Sequence, residues 1–540
     1  MGLLALYDTV SVQRYIFQSN RLRDNRGASM LARDCFSKVL PEVIERLHRK
    51  GLLKNIEIEW ADENGEKTKE NFIQKDMDCA LIYAGGGNAL LYYGKEEFYK
   101  KVNTEFSFAL LRKMPGLQVV TEYLDIEGDN FGKDVDTLFK KLQIKKQRGV
   151  KSTEVPCFSV TRTCFYTEKP ASGKGTDGRW VAEEVLRKQE RSKQDIQQDI
   201  PYKELSNMAG PEGEQWIAVI HADGNAMGEN IRRLLRNSNY ATGIQLIRNF
   251  SKQIQILYDQ AYQETLKICG ELILKSKDNR LAMYRTDQYA SKPPFRKIYG
   301  AGDDFTFVCN GLIAFPAAEL FLKNLQKIKS KMNFSNQIFI SACAGIAFIK
   351  PGFPFFKAYE MAESCCQNAK VRAREHMTEE KMGNWLDFQV IRGELAPLSE
   401  VRRSQYQVRG REGKNISLCS RPYLVCQDGD IGMEERKYQL DCFYNILRVL
   451  HKGEAASRAK WKGLRNAFFK SYAEVEEKLA EIQRRYQKEL GKIGNILSLY
   501  YGGTIPDYIA AAEDQPVAVL WDALETLDFF VDYKGEITDD

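Results

Sequence analysis

Two segments of this 540-residue chain show the same succession of elements, each centred on a hairpin with a glycine-rich turn. In the later segment, the apolar run QWIAVIHADG from Gln215 predicts a buried strand, and a long helical stretch follows it. The hairpin RKIYG–AGDD–FTFVCNG comes next, followed by an amphipathic helix over 315–332, the strand ISACAGIAFIK and a helix over 353–375. This order, βαββαβ, is typical of a ferredoxin-like domain.

The first third of the chain repeats the order in altered form. LLALYD at 3–8 predicts a strand, 26–50 a helix, and 78–94 a hairpin whose turn reads AGGGN. A helix and the strand LQVVTEYLD complete the repeat. From about residue 430 onward, apolar residues recur at helical spacing. We therefore predict an α+β fold with two ferredoxin-like domains and a C-terminal helical bundle.

A prior of about 150 residues per domain suggests three or four domains for a chain of this length, and composition and linker segments divide it into five parts. They are a first ferredoxin-like domain (1–165), a polar linker with one charged helix (166–212), a second ferredoxin-like domain (213–395), a basic connecting segment (396–429) and the helical bundle (430–540). The polar linker reads as solvated surface. The basic segment, which has Tyr406 among its arginines, fits either contact with an RNA backbone or an exposed loop.

Several function classes are poorly supported by composition. The net charge of +6 rests on 79 basic against 73 acidic side chains, so it permits a phosphate-bearing partner without requiring one. The 12 cysteines form no C-x-x-C pair, which argues against a zinc site, and the four histidines form no metallohydrolase motif. The most apolar stretch is too short to span a bilayer. We expect a soluble, cytoplasmic protein with no membrane partner.

Three carboxylates are predicted to meet at one edge of the second domain. Asp223 ends its first strand, and Asp303 and Asp304 form the turn of its hairpin. In a ferredoxin-like sheet these two places are neighbours. Gly-Asp pairs are also ordinary turn chemistry, but a mutual repulsion of three acids is most simply relieved by a divalent cation. Mg²⁺ prefers one or two carboxylates together with substrate phosphates.

Glycines leave the backbone bare beside these acids. Gly224, Gly228, Gly300 and Gly302 would let a triphosphate approach and offer it N–H groups. The turn of the first hairpin, AGGGN, lacks both acids. It fits a degenerate copy that holds a nucleotide without binding metal, or a duplicated fold kept only for packing.

These motifs together resemble the large subunit of type III CRISPR effector complexes, the Cas-ten or Cmr-two family of palm-domain nucleotide cyclases. YDTVSVQRYIFQSNRLRDNRGAS at 7–29 is similar to the opening of that family's first palm. AGGGN and AGDD match its inactive and active palms in order. AGIAFIKPGFPFFKAYEMAESCCQNAK, RPYLV at 421–425 and the helical C-terminal region fit as well, so the resemblance covers nearly the whole chain.

The resemblance implies a nucleotidyltransferase that converts ATP to a cyclic oligoadenylate-type messenger with two ions of Mg²⁺ or Mn²⁺, when the complex binds target RNA. Its partners would be the other effector subunits, guide RNA and target RNA. Asp223, Asp303 and Asp304 would be the catalytic and metal-binding residues. The expected nucleotide-binding residues are Gly224, Gly228, Gly302, Gly86, Gly87, Asn88, Ser29 and Lys350.

The sequence departs from the family pattern in two places. We expect no HD nuclease domain, and Ala301 stands where the first glycine of the common G-G-D-D turn would be. Two alternatives stay open: a non-catalytic scaffold subunit of such a complex, and a stand-alone signalling cyclase without CRISPR partners.

Overall fold

The computed structural model describes residues 2–59, 76–149, 157–194, 202, 204–209, 216–286, 293–335, 338–378, 381–393, 396–410, 413–452, 455–511 and 515–533. It is a mixed α+β structure, as predicted. The predicted polar linker falls partly outside these residues. None of the described helices combines the length and apolarity needed to cross a membrane.

The first third of the chain forms a five-stranded sheet covered by helices. Its elements are β1 (Leu3–Val10), α1 (Val12–Ile16), α2 (Leu22–Asp34), a π-helical turn (Cys35–Val39), α3 (Leu40–Arg49), β2 (Ile56–Glu57), β3 (Cys79–Gly85), β4 (Asn88–Tyr93), α4 (Glu96–Lys113), β5 (Gln118–Asp125) and α5 (Phe131–Gln147). The strands lie in the order β2-β3-β4-β1-β5.

Both faces of this sheet are buried, which explains the unbroken apolar run at its start. Side chains alternate across a strand, so Leu3, Ala5 and Tyr7 enter the main core while Leu4 and Leu6 enter a second core on the opposite face. A strand buried on both sides must be apolar at every position rather than at alternate ones.

A small module follows the first sheet and packs on α2. It contains β6 (Gly173–Lys174), β7 (Trp180–Val181) and α6 (Glu183–Ser192), followed by a short 3₁₀ turn (Leu205–Met208). The Lys188 ammonium on α6 is buried, and it donates hydrogen bonds to the Tyr15 carbonyl at 2.8 Å and to Gln18 Oε1 at 3.0 Å. The module is therefore tied to the segment that includes α1.

The second sheet has six strands, in the order β15-β12-β11-β8-β10-β9. Its strands and the helices that connect them are β8 (Ile217–Gly224), α7 (Met227–Leu234), α8 (Tyr240–Lys275), a 3₁₀ segment (Asn279–Arg285), β9 (Phe295–Ala301), β10 (Asp304–Asn310), a 3₁₀ turn (Gly311–Ile313), α9 (Ala314–Lys329), β11 (Ala342–Ile349), α10 (Phe355–Glu375), β12 (Asn384–Val390), α11 (Leu398–Gln405) and β15 (Tyr423–Cys426). Two short strands between α11 and β15, β13 (Gln407–Arg409) and β14 (Asn415–Ser417), belong to a separate small sheet.

The long helix α8 connects the two sheets. Ile244 and Ile247 near its start belong to the core of the first sheet, whereas Phe250 and the apolar residues after it belong to the main core. Between them, the buried Arg248 donates from Nε to the Ile82 carbonyl of β3 at 2.7 Å. One helix thus fixes the distance between the sheets.

The C-terminal region is mainly helical. It contains α12 (Met433–Arg436), α13 (Leu440–His451), α14 (Ala455–Phe468), α15 (Tyr472–Arg485), α16 (Gln487–Tyr501), a 3₁₀ turn (Pro506–Tyr508), β16 (Ile509–Ala510), β17 (Val517–Ala518), α17 (Trp521–Thr526) and a final 3₁₀ turn (Leu527–Phe529). AVLWDALETLDFFVDY at 518–533, part of the region predicted to be helical, begins in a strand, because Ala518 of β17 pairs with Ile509 of β16. Phe443 of α13 packs on Phe315 of α9, so these helices share the main core.

A buried ionic cluster joins the second sheet to the C-terminal helices. The Arg421 side chain is fully buried, and its NH1 lies 2.7 Å from Asp522 Oδ1 and 2.8 Å from Glu525 Oε2 on α17. Asp387 of β12 is also fully buried and is bridged by Arg402 at 2.8 Å. Backbone N–H groups of Ser420 and Arg421 donate to Asp522 as well. The cluster therefore satisfies its charges internally.

Replacing Arg421 by methionine should destabilise the protein strongly. The change leaves buried carboxylates without their cation, a loss that typically costs about 3–5 kcal/mol. We expect a fall of that size in the free energy of unfolding, measured by urea denaturation. Arg232→Met is the matched control, because the Arg232 side chain is 59% exposed and its ion pair with Asp136 is long, at 4.0 Å. Equal stability of the two variants would contradict the structural role of the cluster.

Candidate active site

The second sheet brings the three predicted acids to one edge. Asp223 is the penultimate residue of β8, and its neighbour Ala222 pairs with Phe305 of β10. Asp303 occupies the turn and Asp304 is the first residue of β10. A Cβ atom on Gly224 would lie 2.7 Å from Asp303 Oδ2, so only glycine lets the turn pack this closely on the end of β8.

The acids resist ionisation in this arrangement. Burial, and after it the charge of Asp223, raise the pKa of Asp303 from 3.8 to about 7. Burial and the charges of Asp223 and Asp303 likewise raise the pKa of Asp304. Within the described part of the chain, Asp304 Oδ1 is a buried acceptor with no hydrogen-bond partner. The site therefore has a surplus of negative charge and of acceptor atoms.

Lys370 on α10 supplies a counter-charge that we did not predict from the sequence. Its Nζ lies 2.5 Å from Asp223 Oδ2 and donates to the Gly224 carbonyl at 2.7 Å. Burial alone lowers the pKa of Lys370, but the neighbouring groups, Asp223 first among them, together outweigh burial and the net shift is upward. The sequence feature that could have pointed to Lys370 is its place in the apolar stripe of this helix, one turn after Cys366 and one residue after Ala369.

His221, on β8, does not neutralise the acids. It is buried, and burial lowers its pKa to about 4, so the ring is neutral near pH 7. Its Nδ1 lies 3.1 Å from Thr306 Oγ1 and 3.6 Å from Asp304 Oδ1. The imidazole thus lies beside Asp304 as a neutral polar group.

The first sheet reaches the same place through its own hairpin turn. Gly302 has φ +63°, and a Cβ there would lie 3.2 Å from the Gly86 Cα, so the AGDD and AGGGN turns are in close contact. Gln13 on α1 donates from Nε2 to Asp304 Oδ2 at 3.3 Å. Both halves of the chain therefore contribute to the surroundings of Asp304, and Gln13 was not singled out from the sequence.

The remaining predicted nucleotide-binding residues fall into three groups. Gly86, Gly87 and Asn88 form the turn facing AGDD, and Asn88 Oδ1 is buried with no partner among the described residues. Gly228 borders open space at the start of α7. Ser29 lies on α2, the helix that packs against β9.

Lys350 is not brought to the acids. It follows the end of β11 opposite to Ala342, which pairs with Gly224. Its ammonium lies over the Trp216 ring, 4.2 Å from the centroid. A strand of eight residues separates it from the site, and Lys370 is the lysine that the structure places there instead.

The acids can be tested as ligands for a divalent cation. No three His, Cys, Asp or Glu side chains are arranged as a ready-made metal site in the described parts of the chain. The donor set nevertheless fits Mg²⁺ or Mn²⁺, because such ions take one or two carboxylates and complete their shell with water and phosphate oxygens. The unpartnered Asp304 Oδ1 and the mutual repulsion of Asp223, Asp303 and Asp304 are what a cation would relieve.

Asp303→Asn should stabilise the protein at high pH in the presence of a chelator. The pKa of this carboxyl is about 7 in the folded protein and 3.8 in the unfolded chain. Between pH 3.8 and 7 the folded protein therefore holds a proton that the unfolded chain has lost, and the free energy of unfolding falls as pH rises through this range. We expect the variant to gain about 1 kcal/mol or more at pH 8 and much less at pH 4.5 in urea denaturation. Asp428→Asn, at a side chain 49% exposed, is the control and should show no such pH-dependent gain. Identical pH profiles for Asp303→Asn and wild type would contradict the repulsion.

Part of this chain matches a known protein family. Residues 216–378 match the Cas10/Cmr2 second palm domain. No curated protein sequence matches the chain.

Solved structures extend the likeness across the whole chain. A Csm1–Csm4 cassette in complex with cA4 superposes with a TM-score of 0.55 at 14% identity, covering 98% of this chain and 69% of that one. The same cassette with pppApA gives a TM-score of 0.52 at 12% identity, with the same coverage. Csm1 from T. onnurineus gives 0.51 at 11% identity, again covering 98% and 69%. At these identities the likeness is one of fold. The resemblance predicted from the sequence is thus confirmed: residues 216–378 match the Cas10/Cmr2 second palm domain, and the chain has the fold of Csm1 in the solved cassettes.

Proposed function

We propose that this chain is the nucleotidyltransferase subunit of a type III CRISPR effector complex, converting ATP to a cyclic oligoadenylate-type messenger. The observation that carries the proposal is the meeting of Asp223, Asp303 and Asp304 with the glycine turn of the first sheet. The solved relatives support it, since Csm1–Csm4 cassettes were obtained with cA4 and with one ATP.

The strand orders support two ferredoxin-like palms. Numbering only the four strands of each repeat, both sheets contain the order 4-1-3-2: β5-β1-β4-β3 in the first and β11-β8-β10-β9 in the second. We propose the second as the catalytic palm and the first as a degenerate copy, with domain limits at 1–165 and 213–395. The helical region from 430 and the segment 396–429 complete the chain.

Asp223, Asp303 and Asp304 are the proposed holders of one or two divalent ions, with ATP as substrate. Such ions would activate the attacking 3′-hydroxyl and offset the negative charge on the leaving pyrophosphate. The chain's own contribution is geometric: the strands fix the carboxylates, and the lack of side chains at Gly224 and Gly302 lets the AGDD turn pack on the end of β8 and on the turn of the first sheet. Neutral His221 closes the site behind Asp304.

Lys370 is proposed to bind substrate phosphates. Its ammonium is anchored by the Gly224 carbonyl, so it remains at the edge of the sheet when the Asp223 carboxylate takes another partner. A lysine is a point charge with three donors, which suits contacts to both a carboxylate and a phosphate. It takes the role that we had expected of Lys350.

The first palm is proposed to hold the acceptor nucleotide. Its turn faces the catalytic turn across the contact between Gly86 and Gly302, and Asn88 Oδ1 offers an acceptor there that has no partner among the described residues. Ser29 on α2 would be the further contact. Gln13 positions Asp304 from the same half of the chain.

The proposed partners are the other effector subunits, guide RNA and target RNA, in a cytoplasmic complex. The matched cassettes pair Csm1 with Csm4, which supports a subunit partner for this chain as well. The C-terminal helices are the proposed docking element for a further small helical subunit.

The test is the double variant Asp303→Asn/Asp304→Asn. With the complex, target RNA, labelled ATP and Mg²⁺ or Mn²⁺, we expect product to fall at least about a hundredfold, because the negative charge that positions the ions is removed. Products are resolved by mass. Asp428→Asn should keep full activity.

The outcomes separate the alternatives. Full activity in the double variant would end the proposal. Wild-type complex that binds guide and target RNA yet makes no product would favour a scaffold subunit, and product formed without RNA would favour a stand-alone cyclase.

Lys370→Met should raise KM for ATP about tenfold or more, with a smaller effect on kcat, because it removes a contact made with bound substrate as well as in the transition state. Initial rates over a range of ATP concentrations measure the split. Lys357→Met on the same helix is the control, since Lys357 contacts Glu360 rather than the acids. An unchanged KM would show that Lys370 serves only the fold.

A further inference from the structure

A polar cavity outside the candidate active site lies against the first palm. Its volume is about 790 Å³, and it is enclosed by α2, the π-helical turn, the end of α4 and α6 of the small module. Cavities of 300–1,000 Å³ are the usual size for bound ligands. None of the residues assigned to catalysis above lines it.

The cavity is lined by more cations than acids. Among the described residues around it are five cations, Arg26, Arg33, Lys38, Lys113 and Arg191, and two acids, Asp34 and Glu42. Arg26 has further partners of its own, but even without it four cations face two acids among the described lining residues. Like charges repel, so a bound anion would stabilise this group.

The contacts within the cluster confirm that the acids are shared. Asp34 Oδ2 lies 2.8 Å from Arg191 Nε, and its Oδ1 lies 3.4 Å from Lys38 Nζ and 4.0 Å from Arg33 Nε. One carboxylate thus faces three cations. Glu42 is already paired with Lys113.

Positive charge extends beneath the cavity into the second palm. Arg26 is almost fully buried and donates from NH1 to the Lys297 carbonyl of β9 at 2.9 Å. Burial is the main reason why the pKa of Lys297 is lowered. Asp259, whose Oδ1 lies 2.7 Å from the Lys297 ammonium, opposes that shift, and the charges of Arg26 and Arg33 add to it. Lys297 is therefore paired with an acid, but it is still within the electrostatic reach of Arg26 and Arg33.

Apolar side chains line the cavity as well. Met30, Leu31 and Met114 are buried there beside the charged residues. Cations next to apolar side chains suit a ligand that has both phosphates and a flat, largely apolar group. Sulfate-like or carboxylate ligands would leave the apolar side chains unused.

We infer that this cavity binds a run of nucleotide phosphates. The same chemistry comes from two sources, the backbone of a short single-stranded RNA and the triphosphate of a free nucleotide. Arg33 and Lys38 are the entrance contacts, since both side chains are 57% exposed. The site does not rest on the proposed cyclase activity.

The test uses the full chain carrying Asp303→Asn/Asp304→Asn, in a chelator, so that binding at the candidate active site does not contribute to the signal. The variant Arg33→Glu/Lys38→Glu is compared with Lys140→Glu/Arg232→Glu. The control is closely matched, because Lys140 and Arg232 are also an exposed lysine and arginine sharing one aspartate, Asp136. The probes are a fluorescein-labelled 12-nucleotide RNA of mixed sequence and, separately, a fluorescent ATP analogue.

We expect the cavity variant to bind at least one probe about tenfold or more weakly, while the control stays within about twofold of the parent. For RNA, losing two phosphate contacts should also reduce the slope of log K against log salt by about 1.4. Loss confined to RNA identifies a strand as the ligand, and loss confined to the ATP analogue identifies a nucleotide.

Two results would overturn the inference: unchanged binding of both probes in the cavity variant, or an equal loss in the control, which would mean that net charge alone is responsible. The neutral pair Arg33→Gln/Lys38→Gln, compared with Lys140→Gln/Arg232→Gln, repeats the test if the glutamate variant does not fold by circular dichroism.

Discussion

The structure depends on a backbone-to-backbone contact between two hairpin turns. Gly302 and Gly86 approach so closely that a Cβ at Gly302 would lie 3.2 Å from the Gly86 Cα. A side chain at that position would force the two turns to shift apart by a few tenths of an ångström. The contact fixes how far the first sheet extends over the acids, and the long helix α8 holds the sheets at that spacing through Arg248.

Keeping three carboxylates at the edge of the sheet is costly, and the surrounding packing must offset that cost. Burial and mutual charge raise the pKa of Asp303 and Asp304. Lys370 neutralises Asp223 from one side, while Gln13 binds Asp304 from the other. The residues after Gln13 are themselves held: Phe17 stacks on Tyr359 of α10 with centroids 4.2 Å apart.

This arrangement links the small module to the acids through a short path. Lys188 of the module is bonded to the Tyr15 carbonyl, and Gln13 lies two residues earlier on α1. At the far end of the second sheet, the Arg421 cluster fastens the C-terminal helices to β12 in a comparable way. Buried ion pairs of this kind are rigid connections, since an unpaired charge in the interior is expensive.

The repeated order of strands and helices, the two glycine turns and the positions of the acids in the chain could all be predicted from the amino-acid sequence. These follow from local rules: apolar periodicity marks the strands, and glycine marks turns that need positive φ. The resemblance to a type III large subunit rests on the same local motifs. Topology then makes neighbours of the end of one strand and the turn of a hairpin, which is why Asp223 and Asp303 could be paired in advance.

The side chains that surround those acids could not be predicted in this way, because they come from distant parts of the chain. Lys370 is 147 residues from Asp223, and Gln13 is 291 residues from Asp304. No local pattern encodes contacts at such separations, because they depend on how helices pack on the sheets. Lys350 stands at the end of a predicted strand, yet the antiparallel register puts it at the wrong end. The sharing of Asp34 by three cations is likewise a product of packing, since Arg191 reaches it from a different part of the chain.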